Sequence, residues 1–219
     1  MIKSIITLIT LAFLLVGCSL TIAPYPDISE VLSAPIPEQP ADMPDQVYDS
    51  FSQDIENSKH NIAEETDIYE SYITLGNAFK ALEKPEMAYS CFDYAGKTVD
   101  STNIVAHLNK GSILEEMGKY EEAAEAYRTA LSIRPTVQAY FRLGIILNQH
   151  LNASQEEVMA HYDEAIKNAQ YEASLTETYL IYLVENDLIE KADQVVKDAL
   201  TAMPDNERYL EIQESYDNL

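Results

Sequence analysis

Apolar residues along most of this chain recur at helical spacing. Val47, Phe51 and Ile55 fall four apart and predict an amphipathic helix beginning at about residue 47. After Asp67 the pattern itself repeats, with a period close to 34 residues. The first copy carries Tyr72, Leu75-Gly76, Phe79, Ala88, Phe92 and Ala95. The second carries Gly111, Leu114, Gly118, Tyr120, Ala123, Tyr127, Ala130 and Pro135. The third carries Tyr140, Leu143-Gly144, Leu147, Tyr162 and Ala165, and the fourth Leu183, Ala192, Val196, Ala199 and Pro204. A unit of this length cannot bury its own apolar face, so the stack is the folding unit.

Each recurring residue has a mechanical reason. Gly76, Gly111 and Gly144 let the two helices of a unit approach closely, and Ala88, Ala123 and Ala192 do so from the second helix. Phe79, Phe92 and Tyr127 fill the space between helices, while Pro135 and Pro204 stop the second helix. Over about residues 69–206 the chain resembles the tetratricopeptide repeat family. The resemblance implies an all-α fold: a right-handed superhelical α-solenoid of about four helix-turn-helix repeats, at 69–102, 104–137, 137–172 and 173–206. Residues 207–219, with Tyr209, Leu210, Ile212 and Tyr216, read as a capping helix. There are departures. Lys110 stands where a large apolar residue is usual, the third copy has about two extra residues in its turn and Val158 at a small-residue place, and Leu180 replaces a glycine.

The N-terminus is an address. Lys3 precedes an apolar run from Ile5 to Val16, which is too short for a comfortable span of about 20 residues and reads as a secretory signal. Leu15-Val16-Gly17-Cys18 resembles the lipobox of bacterial lipoproteins. That resemblance implies a signal peptide over 1–17 and lipidation (thioether-linked diacylglycerol, with palmitate-class chains) at Cys18. It also implies anchoring to the envelope, with Ser19 pointing to the outer membrane and a domain facing the periplasm. Residues 18–67 then form the lipidated start and a tether. Between 19 and 67 lie six of the nine prolines and eleven acidic residues against the single Lys59. Such a segment buries too little apolar surface to offset its ordering entropy, so 19 to about 44 reads as flexible.

Net charge narrows the partners. At -23 the chain repels phosphate backbones, which argues against nucleic acid and favours a basic protein partner, although acidity also serves solubility. No glycine-rich phosphate loop or nucleophile elbow occurs, and His60, His107, His150 and His161 fall in no metal-ligand spacing. We therefore expect no catalysis, no metal and no cofactor. Cys91 lies on an apolar helix face and reads as a core thiol. Of fifteen tyrosines, Tyr72, Tyr120, Tyr127, Tyr140 and Tyr162 occupy core places, whereas Tyr48, Tyr69 and Tyr182 are candidates for exposure.

In tetratricopeptide repeats the first helices line a concave face that binds extended or helical peptide segments. The resemblance maps this groove onto Ile73, Asn77 and Lys80; Leu108, Asn109, Ser112 and Glu115; Phe141, Arg142, Ile145 and Asn148; and Glu177, Ile181 and Val184. In layout the chain is similar to tetratricopeptide lipoproteins that act as pilotins of type IV pili or in tight-adherence pilus machinery. The implied function is a membrane-anchored adaptor for assembling or localising an envelope complex. The alternative is a regulator that recruits a cell-wall hydrolase or protease.

Overall fold

The computed structural model describes residues 25–217. The signal peptide and the lipidation at Cys18 lie outside the described residues. Within them the chain forms α1 (Ile28–Ser33), α2 (Asp45–Ala63), α3 (Ile68–Ala81), α4 (Pro85–Tyr94), α5 (Ile104–Glu116), α6 (Tyr120–Ile133), α7 (Val137–Gln149), α8 (Gln155–Asn168), α9 (Ala173–Glu185), α10 (Ile189–Ala202) and α11 (Glu207–Asp217). A π-helical turn, Ala95–Val99, continues α4. Local chemistry sets these boundaries. The side chains of Asn103, Thr136 and Ser154 accept from orphan N–H groups of the first turns of α5, α7 and α8, and Pro85 opens α4.

The pairs α3–α4, α5–α6, α7–α8 and α9–α10 stack in order, each first helix packing on the second helix before it. First helices also touch across the stack, α3 on α5 and α7 on α9. The glycines explain how the two helices of a pair come together. A Cβ on Gly76 would stand 2.5 Å from the Phe92 ring, and one on Gly111 would stand 2.7 Å from the Tyr127 ring. At Gly144 the clash would be with Tyr162, at 2.5 Å from its hydroxyl oxygen. Each first helix thus offers a bare socket into which an aromatic ring of the second helix inserts. In the fourth pair the sizes are exchanged: Leu180 fills the glycine place and Val196 the ring place, and both are buried. The departure at Leu180 is a swap of knob and hole.

The other departures also have local causes. Lys110 reaches back to α4, its Nζ 2.6 Å from Asp93 and over the Tyr89 ring. The longer turn of the third pair carries His150, which stacks on Tyr120 at 3.7 Å between ring centroids. Val158 is fully packed. The turns between paired helices need one residue in the left-handed region, and only one of the four uses glycine: Glu83, Gly118, Asn152 and Asp187 hold these places.

The expected flexible tether is corrected over residues 25–44. Asp27 caps α1 by accepting from the Ser29 amide and hydroxyl, and Val31 on α1 is completely buried. The segment runs backwards over three helices. Tyr25 stacks on Tyr89 of α4 at 3.6 Å and meets Lys119 and Glu122 at the start of α6. Ser90 of α4 donates to the Pro26 carbonyl at 2.6 Å. Lys59 of α2 donates to the Ala34 carbonyl, and Tyr48 of α2 to the Pro37 carbonyl. Burial lowers the Lys59 ammonium below its ordinary pKa. The prolines do not unfold this strap because its extended parts need no ladder, and the apolar surface that holds it belongs to the repeats.

Candidate protein-binding surface

Four of the polar residues expected to meet a partner, Lys80, Ser112, Glu115 and Arg142, also brace neighbouring first helices. Lys80 of α3 pairs with Glu116 of α5 at 2.6 Å and donates to Ser112 at 3.1 Å. Arg142 of α7 grips Glu115 of α5 through both Nε, at 2.9 Å, and Nη2, at 2.5 Å. Glu115 also accepts from the buried Tyr127 hydroxyl at 2.5 Å. On Arg142 burial acts to lower the pKa, and the bonds to Glu115 and Tyr127 more than offset it, so the guanidinium sits above its usual range. Burial first, and Glu115 second, push the Tyr127 phenol up. Glu177 of α9 accepts from Arg208 of α11 at 3.0 Å.

The structure therefore sorts the sequence-derived positions. Ile73 and Leu108 are buried in the core and offer almost no contact area, which corrects their assignment to the groove surface. Lys80, Ser112, Glu115, Arg142 and Glu177 already have partners within the protein, so they stiffen the surface before they bind anything on it. Asn77 and Asn148 are exposed, and Asn109, Phe141 and Ile145 are half-buried. Ile181 and Val184 are exposed apolar residues at 58% and 44%, far above their neighbours on α9. They line a cleft of about 270 Å³ whose apolar floor is completed by Leu180 of α9 and Ile212 of α11, with Glu177, Glu185 and Arg208 at its edge.

The tyrosine expectations divide. Tyr72, Tyr127, Tyr140 and Tyr162 are buried, and burial pushes the phenols of Tyr72 and Tyr162 up to about 12. Tyr182, a candidate for exposure, is buried as well. Tyr48 and Tyr69 are half-buried, and the Tyr69 hydroxyl accepts from the Ala106 amide at 3.0 Å. Cys91 is fully buried and burial pushes its thiol far up, so it is a packing residue. Among the described residues no group of His, Cys, Asp and Glu could hold a metal ion, and no helix is long and apolar enough to cross a membrane.

A paired helix with a bare glycine socket, closed by a tyrosine and ended by a proline, is most complete in α5–α6. Residues 104–136 match the tetratricopeptide repeat family. The whole arrangement is a tetratricopeptide-type solenoid. Two crystal structures of MamA share the fold, each with a TM-score of 0.57 and 17% identity over 75% of this chain, covering 88% and 95% of those chains. At that identity the likeness is one of fold. In sequence the chain is 27% identical over 145 residues to the human protein O-mannosyl-transferase TMTC1. The match takes in 64% of this chain but spans only 16% of the length of that relative.

Proposed function

We propose that the protein is a lipid-anchored adaptor of a bacterial envelope, built to bind another protein and not to catalyse a reaction. The observation that carries this is the character of the first-helix surface. Several of its charged residues are paired within the protein, and its outward residues include the apolar Ile181–Val184 strip on a stiff frame, beside Glu177 and Glu185. Such a surface suits an extended or helical segment that brings apolar anchors and basic flanks. The lipobox resemblance at Cys18 supports a membrane anchor, Ser19 points to the outer membrane with the domain facing the periplasm, and on this reading the partner is an envelope protein. Assembly or localisation of a pilus or secretion machine fits a small anchored solenoid.

The net charge of -23 favours one further reading, recruitment of a basic cell-wall hydrolase or protease. Crosslinked co-purification from the native envelope separates the two, with Ile181→Asp and Val184→Asp in parallel. A secretin or pilus subunit lost in both variants supports the assembly adaptor, and a soluble hydrolase supports the recruiter. A partner retained in both variants removes the first-helix surface from consideration. Arg142→Ala is unsuited to this purpose because it also breaks the α5–α7 brace. Cys18→Ser should release the protein from the membrane fraction; unchanged retention refutes anchoring through that residue.

A further inference from the structure

If Cys18 carries the lipid, the strap decides how the solenoid faces its membrane. This inference rests on the anchor reading above and goes beyond it. The described residues begin at Tyr25, and residues 19–24 lie between it and the lipidated position. Whatever their conformation, the step from Cys18 to Tyr25 spans at most about 25 Å of extended chain. A compact body of this length has a radius of gyration of about 16 Å and a diameter of some 40 Å or more. The leash is thus shorter than the object it holds. A leash running freely to α2 would have allowed every orientation; this one does not.

The exit point is built into the second-helix side. Tyr25 is held by the stack on Tyr89, by the Lys119 ammonium 2.7 Å from its hydroxyl, and by its own bond to Glu122 at 3.2 Å. Ser90 holds the next residue through the Pro26 carbonyl. Behind these, the buried Val31 and the Lys59–Ala34 bond stop the strap from peeling away. We infer that the strap is an orienting clasp: it turns the α4–α6 side toward the lipid surface and points the first-helix surface, with Ile181 and Val184, away from it. The partner implied is one whose docking segment approaches from the aqueous side, and not one lying flat on the bilayer.

The test uses lipidated full-length protein reconstituted in vesicles that carry an acceptor dye on their headgroups. A donor is placed on one introduced cysteine, at Glu125→Cys on α6 or Asn77→Cys on α3, both at exposed positions. The buried, hard-to-ionise Cys91 does not compete for the label. Two helix layers are about 20 Å thick, so transfer from the α6 label should exceed that from the α3 label roughly twofold or more. A Tyr25→Ser, Val31→Asp variant, checked for retained helix content, frees the strap and should erase the contrast. Equal or reversed transfer in lipidated protein overturns the orientation and leaves the anchor standing, and contrast that survives release of the strap overturns the clasp. Absence of lipid on Cys18 by mass spectrometry overturns both anchor and orientation.

Discussion

The glycine sockets make the sharpest demand on the sequence, and Gly111 is the place to test it. Replacing Gly111 by Ala removes a mid-helix glycine, which by propensity alone should stabilise the protein by about 1 kcal/mol. The structure predicts the opposite sign. The new Cβ would sit 2.7 Å from two ring atoms of Tyr127, and ordinary carbon contact requires about 3.5–4 Å. The ring would have to retreat by almost 1 Å, yet it is wholly buried and its hydroxyl is fixed to Glu115, which is fixed to Arg142. Overpacking of this kind costs about 1–3 kcal/mol, which leaves a net loss of roughly 0–2 kcal/mol. For a body of this size that is a fall in Tm of a few degrees, at roughly 2–4 °C per kcal/mol. A decisive version copies the fourth pair. Gly111→Leu alone should be severely destabilising, but in a Tyr127→Val background it recreates the Leu and Val combination found at the equivalent buried places 180 and 196. The two changes should couple favourably by about 2 kcal/mol or more, measured by urea melts followed by circular dichroism. If Gly111→Ala stabilises, or if Gly111→Leu costs the same in both backgrounds, the socket argument is wrong.

Other perturbations probe different parts of the molecule. Arg142→Ala leaves the nearly buried Glu115 carboxylate without its main partner and should cost about 1–2 kcal/mol, the half-exposed guanidinium keeping the figure modest; an unchanged urea midpoint would show that the brace contributes nothing. Burial lowers the pKa of His161, partly countered by the bond between its ring nitrogen and the Tyr140 carbonyl at 2.8 Å. The unfolded chain therefore takes up that proton first. The stability due to neutral His161 is complete above about pH 6.5, falls as the pH drops from there toward the folded value, and then levels off. His161→Gln should flatten this part of the stability curve between pH 7.5 and 5, and a slope identical to that of the parent would refute the assignment. Glu83 holds a left-handed turn at φ 57°, so Glu83→Gly should stabilise by a few tenths to 1 kcal/mol, whereas Gly118→Ala at φ 70° should destabilise despite open space around it; Tm shifts of opposite sign would check both.

The repeats were legible because each position repeats one steric problem. A glycine facing an aromatic residue recurs at fixed spacing in the first two pairs, and the third pair differs only by its longer turn. What the pattern did not show was that Leu180 and Val196 solve the same problem with sizes exchanged, since a profile scores each place separately. The strap was missed for a compositional reason. Its prolines and carboxylates say that it cannot fold alone, and that inference holds; the apolar surface it lies on is supplied by α2, α3 and α4. The available signal was local: Asp27 three residues before Glu30, followed by Val31 and Leu32, is a helix start. The groove was misjudged at Ile73 and Leu108 because those places belong to the two apolar cores instead of standing outward. The bracing role of Arg142 was not legible because its partner Glu115 comes from another repeat, 27 residues earlier.

These internal pairings change what the net charge means. Lys80, Lys97, Lys110, Arg142, Lys191, Lys197 and Arg208 all lie in ion pairs within the protein, and Lys59 and Lys119 are engaged by the strap. These nine of the fourteen basic residues are thus engaged within the protein, seven of them between separate segments, which weakens any outward positive patch. Most of the carboxylates have no such role, so the field seen by an approaching molecule is more uniformly acidic than an even mixing of 37 acidic and 14 basic residues would give. A partner that docks on the apolar strip beside Glu185 must then bring its own positive charge, because an acidic one is repelled before contact. Salt should slow the association of such a partner far more than it speeds dissociation. An association rate unmoved between low and physiological salt would mean that the acidity serves solubility alone, and that the partner is chosen by the apolar strip.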